Sequence, residues 1–363
     1  MSYLDVLHFR WGYLIPAHAS VQMGMAVFYT KGSIRGSNIV TTTAIRISDH
    51  APSAALRRFA WGVLVFFVAT ILWGAVVRAT GSGAGCGDHW PLCNGTVLQP
   101  SPTLHTMIEF SHRVSAGAID SILVIALAVW TWRRTVSGHL ARWAVGATIF
   151  LTVTEGALGA VLVKFGLTAE SRLPMRAPVE ALHLSNTLLL LAALAMTAHF
   201  LARRIGYRWR EIRISTPVGT TIGMIAVMIV GVTGSLAALG DTLFPATSLG
   251  DSIQQDFAGQ LTGESTWLLR WRWTHPTVAI LASIFLIWLL IRAMRRSGPW
   301  DNRKLSALVV GLLVVQYVLG ALDVWLLAPV WMQVLHLLGA DALWTALVVL
   351  TARLTLLPAQ SKS

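Results

Sequence analysis

Four histidines, His112, His183, His275 and His336, stand near the same end of four apolar segments of this 363-residue chain. A neutral imidazole can ligate a metal, and ionisable residues inside apolar segments that could cross a membrane are functional by default. Two histidines on facing helices of a four-helix bundle can hold a haem from both sides. A zinc or copper site would normally need three or four ligands. The pattern therefore favours two haem sites, with interhelical hydrogen bonding as the bland alternative for any single histidine.

A polar or charged residue precedes each histidine by three positions: Glu109, Glu180, Arg272 and Gln333. On a helix, positions i and i+3 share a face, so each pair is predicted to point into the same space. The carboxylates suit acid–base or charge-stabilising chemistry, and Arg272 could pair with the propionates of a haem. This asymmetry predicts a reactive first half and a cofactor-holding second half.

Glu109 is the predicted catalytic residue, because a carboxylate beside a histidine near a membrane boundary is poised for proton transfer. Its alternative role is an ion-pair partner for Arg113. Glu155, in the middle of another apolar segment, is a weaker candidate of the same kind. His139 and His199, at the opposite segment ends, are expected to face water or lipid headgroups.

Cys86 and Cys93 are the only cysteines and lie in a glycine-rich stretch between two apolar segments. On the outer side of a membrane a disulfide would persist. Closing so short a loop would stabilise the fold by roughly 2 to 2.5 kcal/mol. A structural staple and a redox-active pair are both compatible with the spacing.

The composition determines which elements position these residues. The chain is 55% hydrophobic and 12% charged, with a mean hydropathy of +0.64, so it is predicted to be an all-α integral membrane protein. A spanning helix needs about 20 mostly apolar residues. Eight runs qualify, at approximately 59–78, 106–131, 143–163, 179–201, 217–239, 273–291, 305–327 and 330–352.

The net charge of +12 could suggest nucleic-acid binding, but its distribution argues against that. Most basic residues fall in alternate loops and at the C-terminus, whereas few, among them Arg78 and Arg272, fall in the loops on the other side. This bias places both termini in the cytoplasm. The chain is therefore predicted to cross a membrane many times and to be surrounded by lipid.

A basic connection at 202–216 divides the eight segments into four plus four. Because four is even, both halves enter the membrane in the same orientation, as parallel repeats do. The sequence thus predicts two pseudo-symmetric four-helix bundles. The domain division is a disordered or amphipathic leader at 1–56, bundles at 57–205 and 206–355, and a tail at 356–363.

The chain resembles the haem A synthase family. The resemblance rests on Glu109-Phe110-Ser111-His112-Arg113 and on the loop from Gly81 through Cys86 and Trp90-Pro91-Leu92 to Cys93-Asn94-Gly95, and it covers about 57–355. It implies eight helices in two bundles. It also implies oxidation of the C8 methyl group of haem O to a formyl group, producing haem A for haem-copper respiratory oxidases.

The resemblance also implies roles for single residues. His275 and His336 would ligate a haem b cofactor, and His112 and His183 would flank the haem O substrate. Glu109 matches the essential carboxylate of the family, and Cys86 and Cys93 match its outer-loop pair. One departure is Pro276, where the family often carries Arg after the histidine. A complex with haem O synthase or with the terminal oxidase assembly, and a homo-oligomer, are the partners that such a role would allow.

Two alternatives remain open, and a third is disfavoured. A di-haem b-type cytochrome that takes electrons from quinol explains the four histidines equally well, but not the cysteine loop. A haem transporter or chaperone would bind haem without chemistry. A haem farnesyltransferase would need an aspartate-rich motif for magnesium diphosphate, which the sequence lacks.

Overall fold

The computed structural model describes residues 26–34, 37–45, 52–97, 100–202, 212–214, 218–262, 268–295 and 302–358. Most of the predicted connection at 202–216 and the end of the predicted tail lie outside these residues. Contacts divide the chain into two units, residues 1–50 and 51–363. The second unit holds all the helices, and its described part has eight that are long and apolar enough to cross a membrane.

Ten α-helices follow one another in the described residues of this second unit. They are α1 (Ala54–Ala79), α2 (Leu104–Arg113), α3 (Asp120–Arg134), α4 (Leu140–Lys164), α5 (Arg176–Ala202), α6 (Val218–Leu243), α7 (Leu249–Thr262), α8 (Arg270–Arg295), α9 (Arg303–Trp325) and α10 (Val330–Thr355). A π-helical turn, Val114–Ile119, joins α2 to α3 in one span. The eight predicted spans are confirmed, and the chain is a multi-pass membrane protein.

The termini of the helices and their outward faces follow from local chemistry. Ser53 and Thr103 cap α1 and α2 by accepting hydrogen bonds from the backbone N–H groups of Leu56 and Thr106. Large apolar side chains such as Trp143 and Phe150 are mostly exposed on the outside of α4. In a membrane this surface faces lipid, which is as apolar as the side chains themselves.

The helices of each half contact one another. In the first half, α1 packs against α3 and α5, and both of these pack against α4. In the second half, α8 packs against α6 and α9, and α10 also packs against α6 and α9. Helices α1, α5, α6 and α10 connect the halves, and there the fully buried Trp344 donates a hydrogen bond to the carbonyl of Leu188. The relation of the halves by pseudo-symmetry stays a prediction.

Short elements complete the described residues. Helix α7 lies in the loop between α6 and α8, where the sequence analysis predicts no helix. Strands β3 (Ile212–Ile214) and β4 (Leu356–Pro358) pair antiparallel, so the predicted connection and tail meet here.

The first unit contains two strands, β1 (Ala26–Ile34) and β2 (Ser37–Ile45), which pair antiparallel over their full length. The sequence analysis expects this leader to be disordered or amphipathic. The run Val40-Thr41-Thr42-Thr43 is rich in β-branched residues, which favour strands. The domain boundary at residue 56 stays a prediction.

His139 and His199 differ from expectation, because both are buried rather than facing water. His139 caps α4, and its Nδ1 accepts a hydrogen bond from the backbone N–H of Ala141. A ring nitrogen can replace water as the partner of a free helix N–H group, which explains its place inside the protein. Burial lowers the pKa of His139 to about 4, and the nearby Arg142 adds to this effect.

This pKa predicts acid sensitivity. The unfolded chain binds a proton at His139 near its ordinary pKa of about 6.5, whereas the folded protein does so near 4. Stability is therefore fully present above the unfolded value and is lost as the pH falls towards the folded one. We expect His139→Asn, which keeps a capping oxygen, to flatten the fall in thermal unfolding midpoint between these pH values in detergent. Parallel curves for wild type and variant would contradict this assignment.

Candidate functional site

His275 and His336 come together in the second half. They lie on α8 and α10, and their ring centroids are 6.4 Å apart with the planes nearly perpendicular. Each ring lies against a glycine of a neighbouring helix: a Cβ at Gly234 of α6 would lie 2.9 Å from Cε1 of His275, and one at Gly320 of α9 would lie 3.2 Å from Cε1 of His336. The missing side chains thus make the space that the two rings occupy.

The free ring nitrogens of this pair suit a metal. Nδ1 of His275 is 3.2 Å from the hydroxyl of Thr233, which leaves Nε2 as the nitrogen available to a ligand. Nδ1 of His336 is buried without a hydrogen-bond partner. A metal–nitrogen bond is about 2 Å long, so one iron between two imidazoles is compatible with rings at this separation. No cluster of three or more potential metal-ligating side chains occurs among the described residues, which fits haem better than a zinc site.

The first half repeats this arrangement in part. His112 lies on α2, and a Cβ at Gly74 of α1 would lie 3.0 Å from its Cε1. Its Nδ1 is buried without a hydrogen-bond partner. His183, on α5, instead contacts a carboxylate: its Nδ1 is 3.0 Å from Oε1 of Glu155 on α4. A carboxylate on the non-ligating nitrogen is a common second contact of metal-binding histidines.

Glu109 is buried and both of its oxygens are engaged. Oε1 accepts hydrogen bonds from Nε and Nη2 of Arg113, at 3.1 and 2.6 Å, and Oε2 accepts one from the backbone N–H of Cys86 at 2.7 Å. The guanidinium of Arg113 also donates to the carbonyl oxygens of Gly87, His89 and Leu92. Glu109 therefore takes the alternative role of an ion-pair partner, and its catalytic role stays a prediction.

The loop that these contacts hold carries a disulfide between Cys86 and Cys93. Both cysteines are fully buried, and the backbone N–H of Asn94 bonds to the carbonyl of Cys86. A closed pair agrees with both sequence-based interpretations, a structural staple and a redox-active pair. Its connection to α2 runs through Glu109 and Arg113.

Arg272 directs its guanidinium at protein groups. Nε is 2.8 Å from Asp241, and Nη1 is 3.3 Å from Asp256 on α7. The remaining donors reach Gln255 and the carbonyl oxygens of Gly240 and Phe244. Burial raises the pKa of Asp256, which the charge of Arg272 opposes. Arg272 thus attaches α7 to α6 and α8 in this structure, and a contact with a propionate would require it to exchange one of these partners.

The residues three positions before the histidines bond to partners other than the rings. Glu180 pairs with Arg176, and Gln333 accepts a hydrogen bond from Arg78, 2.7 Å away. Within the described part of the chain, none of the four bonds to its histidine. Each of these side chains has a charged partner of its own, so the expectation that the i, i+3 pairs act together at one site stays a prediction.

Sequence reasoning used Arg78 only as part of the charge distribution and gave Glu155 less weight than Glu109. Arg78 ends α1 and donates to the carbonyl of Ala238 and the hydroxyl of Thr242 on α6, as well as to Gln333 on α10. It thereby joins the first half to the second. No local pattern marks such a role, because its partners lie more than 150 residues away in the sequence.

Comparison with known proteins gives a family match. The model of the COX15-CtaA family, described as cytochrome oxidase assembly protein, matches residues 57–106 and 102–348. This match includes all four histidines, both cysteines, Glu109 and Glu155.

Single relatives carry two different names. A protein of Thermus thermophilus named protoheme IX farnesyltransferase is 41% identical over 296 residues, which are 81% of this chain and 48% of the relative. The chain therefore spans about half the length of that protein. A haem A synthase of Alkalihalophilus pseudofirmus is 29% identical over 299 residues, 81% of this chain and 94% of the relative. One of Shouchella clausii is 45% identical over 96 residues, 26% of this chain and 32% of the relative.

Proposed function

Because the chain belongs to the cytochrome oxidase assembly protein family, we propose that it is a haem A synthase, an oxidoreductase that converts the C8 methyl group of haem O to a formyl group. The observation that carries the proposal is the arrangement of four histidines on four spans. Three of their rings are seated on glycines of neighbouring helices, and the fourth is held by a carboxylate. The haem A synthase relative that this chain nearly covers, at 94% of its length, points the same way.

In this proposal the two halves hold two haems. His275 and His336 would ligate haem b, and His112 and His183 would flank haem O. Haem b supplies one-electron transfer when bound. Conversion of a methyl group and one water to a formyl group releases four electrons and four protons, so the site needs both an electron path and proton acceptors.

The chain's own residues would orient the substrate and receive protons. The glycine faces at Gly74, Gly234 and Gly320 fix where the histidine rings can lie. Glu109, the predicted catalytic carboxylate, accepts two hydrogen bonds on Oε1 and one on Oε2, so Oε2 keeps a lone pair that could accept a proton. Glu155 contacts His183 directly and is the carboxylate nearest to the proposed substrate ligands.

The Thermus relatives named protoheme IX farnesyltransferase favour farnesyl transfer as a second candidate. About half of their length has no counterpart in this chain, and this sequence lacks an aspartate-rich motif for magnesium diphosphate. We therefore place farnesyl transfer second.

The proposed location is a bacterial plasma membrane with both termini in the cytoplasm. The proposed partners are haem O synthase and the terminal oxidase assembly.

Pigment analysis tests the main proposal. The purified full chain, produced in cells that make haem O, should contain haem b together with haem O or haem A, and added haem O should be converted to haem A. The His112→Ala variant should keep haem b and lose conversion. Finding haem b alone, with no conversion of supplied haem O, would favour a di-haem cytochrome instead. Transfer of a farnesyl group to haem b would favour the second candidate.

A further inference from the structure

Glu155 is the centre of a hydrogen-bond network inside the membrane-spanning region of the first half. Oε1 lies 3.0 Å from Nδ1 of His183 and also accepts a short hydrogen bond from the hydroxyl of Thr187. Oε2 accepts one from the side-chain amide of Asn186 at 2.6 Å. Asn186 is fixed in turn, since its amide also donates to the carbonyl of Leu151 and its oxygen accepts from Thr154.

The partners of Glu155 define what it does to His183. The hydroxyl of Thr187 and the amide of Asn186 both donate to Glu155, so its oxygens act as acceptors. Nδ1 of His183 must then be the protonated ring nitrogen, which leaves Nε2 with the lone pair that binds a metal. A strong acceptor at Nδ1 fixes the ring orientation and raises the basicity of the ligating nitrogen.

The second half has a different side chain at the matching place. Gln316, on the third span of its half, approaches His336 on the fourth, as Glu155 on α4 approaches His183 on α5. Its amide, however, donates to the backbone carbonyl of His336 at 3.0 Å and not to the ring. Nδ1 is buried without an aligned hydrogen bond in both rings, but that of His183 has a carboxylate oxygen at 3.0 Å, whereas that of His336 has no carboxylate partner among the described residues. The two halves therefore differ in how strongly a ring would donate to iron.

From this difference we propose that Glu155 is a positioning residue: through Nδ1 it orients His183 and makes it a stronger electron donor than His336. The inference rests on the proposed function, in which His183 flanks the substrate haem. A stronger donor stabilises the ferric state, so it lowers the reduction potential of a haem at this site. Removal of electrons from the substrate haem would then be easier.

Potentiometric titration of the purified full chain, loaded with haem O, tests the proposal. The His183→Ala variant assigns which of the two haem signals belongs to the first half. Glu155→Gln keeps the shape but replaces the carboxylate by a weaker acceptor. We expect it to raise the midpoint reduction potential of that signal by about 59 mV, which corresponds to a tenfold change in the ratio of oxidised to reduced haem for a one-electron couple.

Two further variants separate positioning from simple damage to the fold. Thr187→Val removes a competing donor from the carboxylate, so the midpoint should move the opposite way and by less. Gln316→Glu, the matched control, should leave the signal assigned to His183 unchanged. In Glu155→Gln and Thr187→Val the unaltered spectrum of the haem at His275 and His336 reports an intact fold, and in Gln316→Glu the unaltered signal assigned to His183 does so.

The outcomes distinguish the proposals. An unchanged midpoint in Glu155→Gln, or shifts of the same sign in Glu155→Gln and Thr187→Val, would overturn the positioning role even if the wild-type chain makes haem A. If Glu155→Gln loses both haem signals, the sign of the Thr187→Val shift decides. The two variants could shift the midpoint in opposite directions while the wild-type chain never converts haem O. That result would support Glu155 as a positioning residue and overturn the proposed synthase activity.

Discussion

Gly234→Ala is expected to reduce the haem retained at His275 and His336 by at least about tenfold, which corresponds to about 1.4 kcal/mol. The new Cβ would lie 2.9 Å from Cε1 of His275, closer than such atoms approach in proteins. Overpacking of this kind costs about 1–3 kcal/mol. The ring can escape only by rotating or by pushing α8 away from α6, and either movement misaligns Nε2.

The chain offers matched controls for this experiment. Gly311→Ala, on α9, places its Cβ where nothing lies within 4 Å, so haem retention should equal that of the wild type. Gly320→Ala, whose Cβ would lie 3.2 Å from His336, should have an intermediate effect. The pyridine haemochrome assay on equal amounts of purified protein measures the haem content, which ranks the three variants by haem retention. Equal retention in all three variants would show that the rings do not depend on these glycines.

Arg113→Met is expected to destabilise the disulfide loop between α1 and α2 by about 3–5 kcal/mol, because it leaves Glu109 as a buried carboxylate without its cation. The side chains of this pair are almost fully buried, at 8% and 4% exposure. The variant also removes the donors that hold three carbonyl groups of the disulfide loop. The thermal unfolding midpoint and the rate of proteolysis within residues 85–97 measure this effect.

The double variant Glu109→Gln with Arg113→Met separates structure from chemistry. Without a charge at residue 109, the penalty of the unpaired carboxylate disappears, so much of the lost stability should return. If Glu109 acts only through the ion pair, formation of haem A should return as well. If its carboxylate takes part in the reaction, stability should return while activity remains absent. Failure to regain stability would mean that the loop depends on Arg113 alone.

The eight spans could be predicted from sequence because their signal is local. About 20 consecutive apolar residues suffice to define a spanning helix, whatever lies beside it. The sequence left two interpretations of the disulfide, a structural staple and a redox-active pair. Both needed only that the two cysteines lie close together. Helix α7 was missed because its sequence is polar on much of its surface, so it lacks the length and apolarity of a span.

The site was harder to predict, because the partners of a buried polar side chain are chosen by helix packing. The i, i+3 rule places Glu109 near His112 along one helix, but the structure has Arg113 and the backbone of Cys86 as better partners. The pairing of Glu155 with His183 joins different helices, so no spacing in the sequence reveals it. The chemical type of a side chain was enough to select the candidate residues from the sequence. Which residues they contact could be seen only in the folded structure.

Arg78 has a consequence for the order in which the protein is made. Its partners on α6 and α10 follow it by 160 and 255 residues. At about 5–20 residues per second, a ribosome reaches the second of them roughly 13–50 s after Arg78 is synthesised. Before α6 is made, this cation at the end of the first span has none of these protein partners, and before α10 is made it lacks Gln333. We therefore expect a chain truncated before α10 to hold α1 through Ala238 and Thr242 of α6 alone, with Nη2 of Arg78 left without its partner.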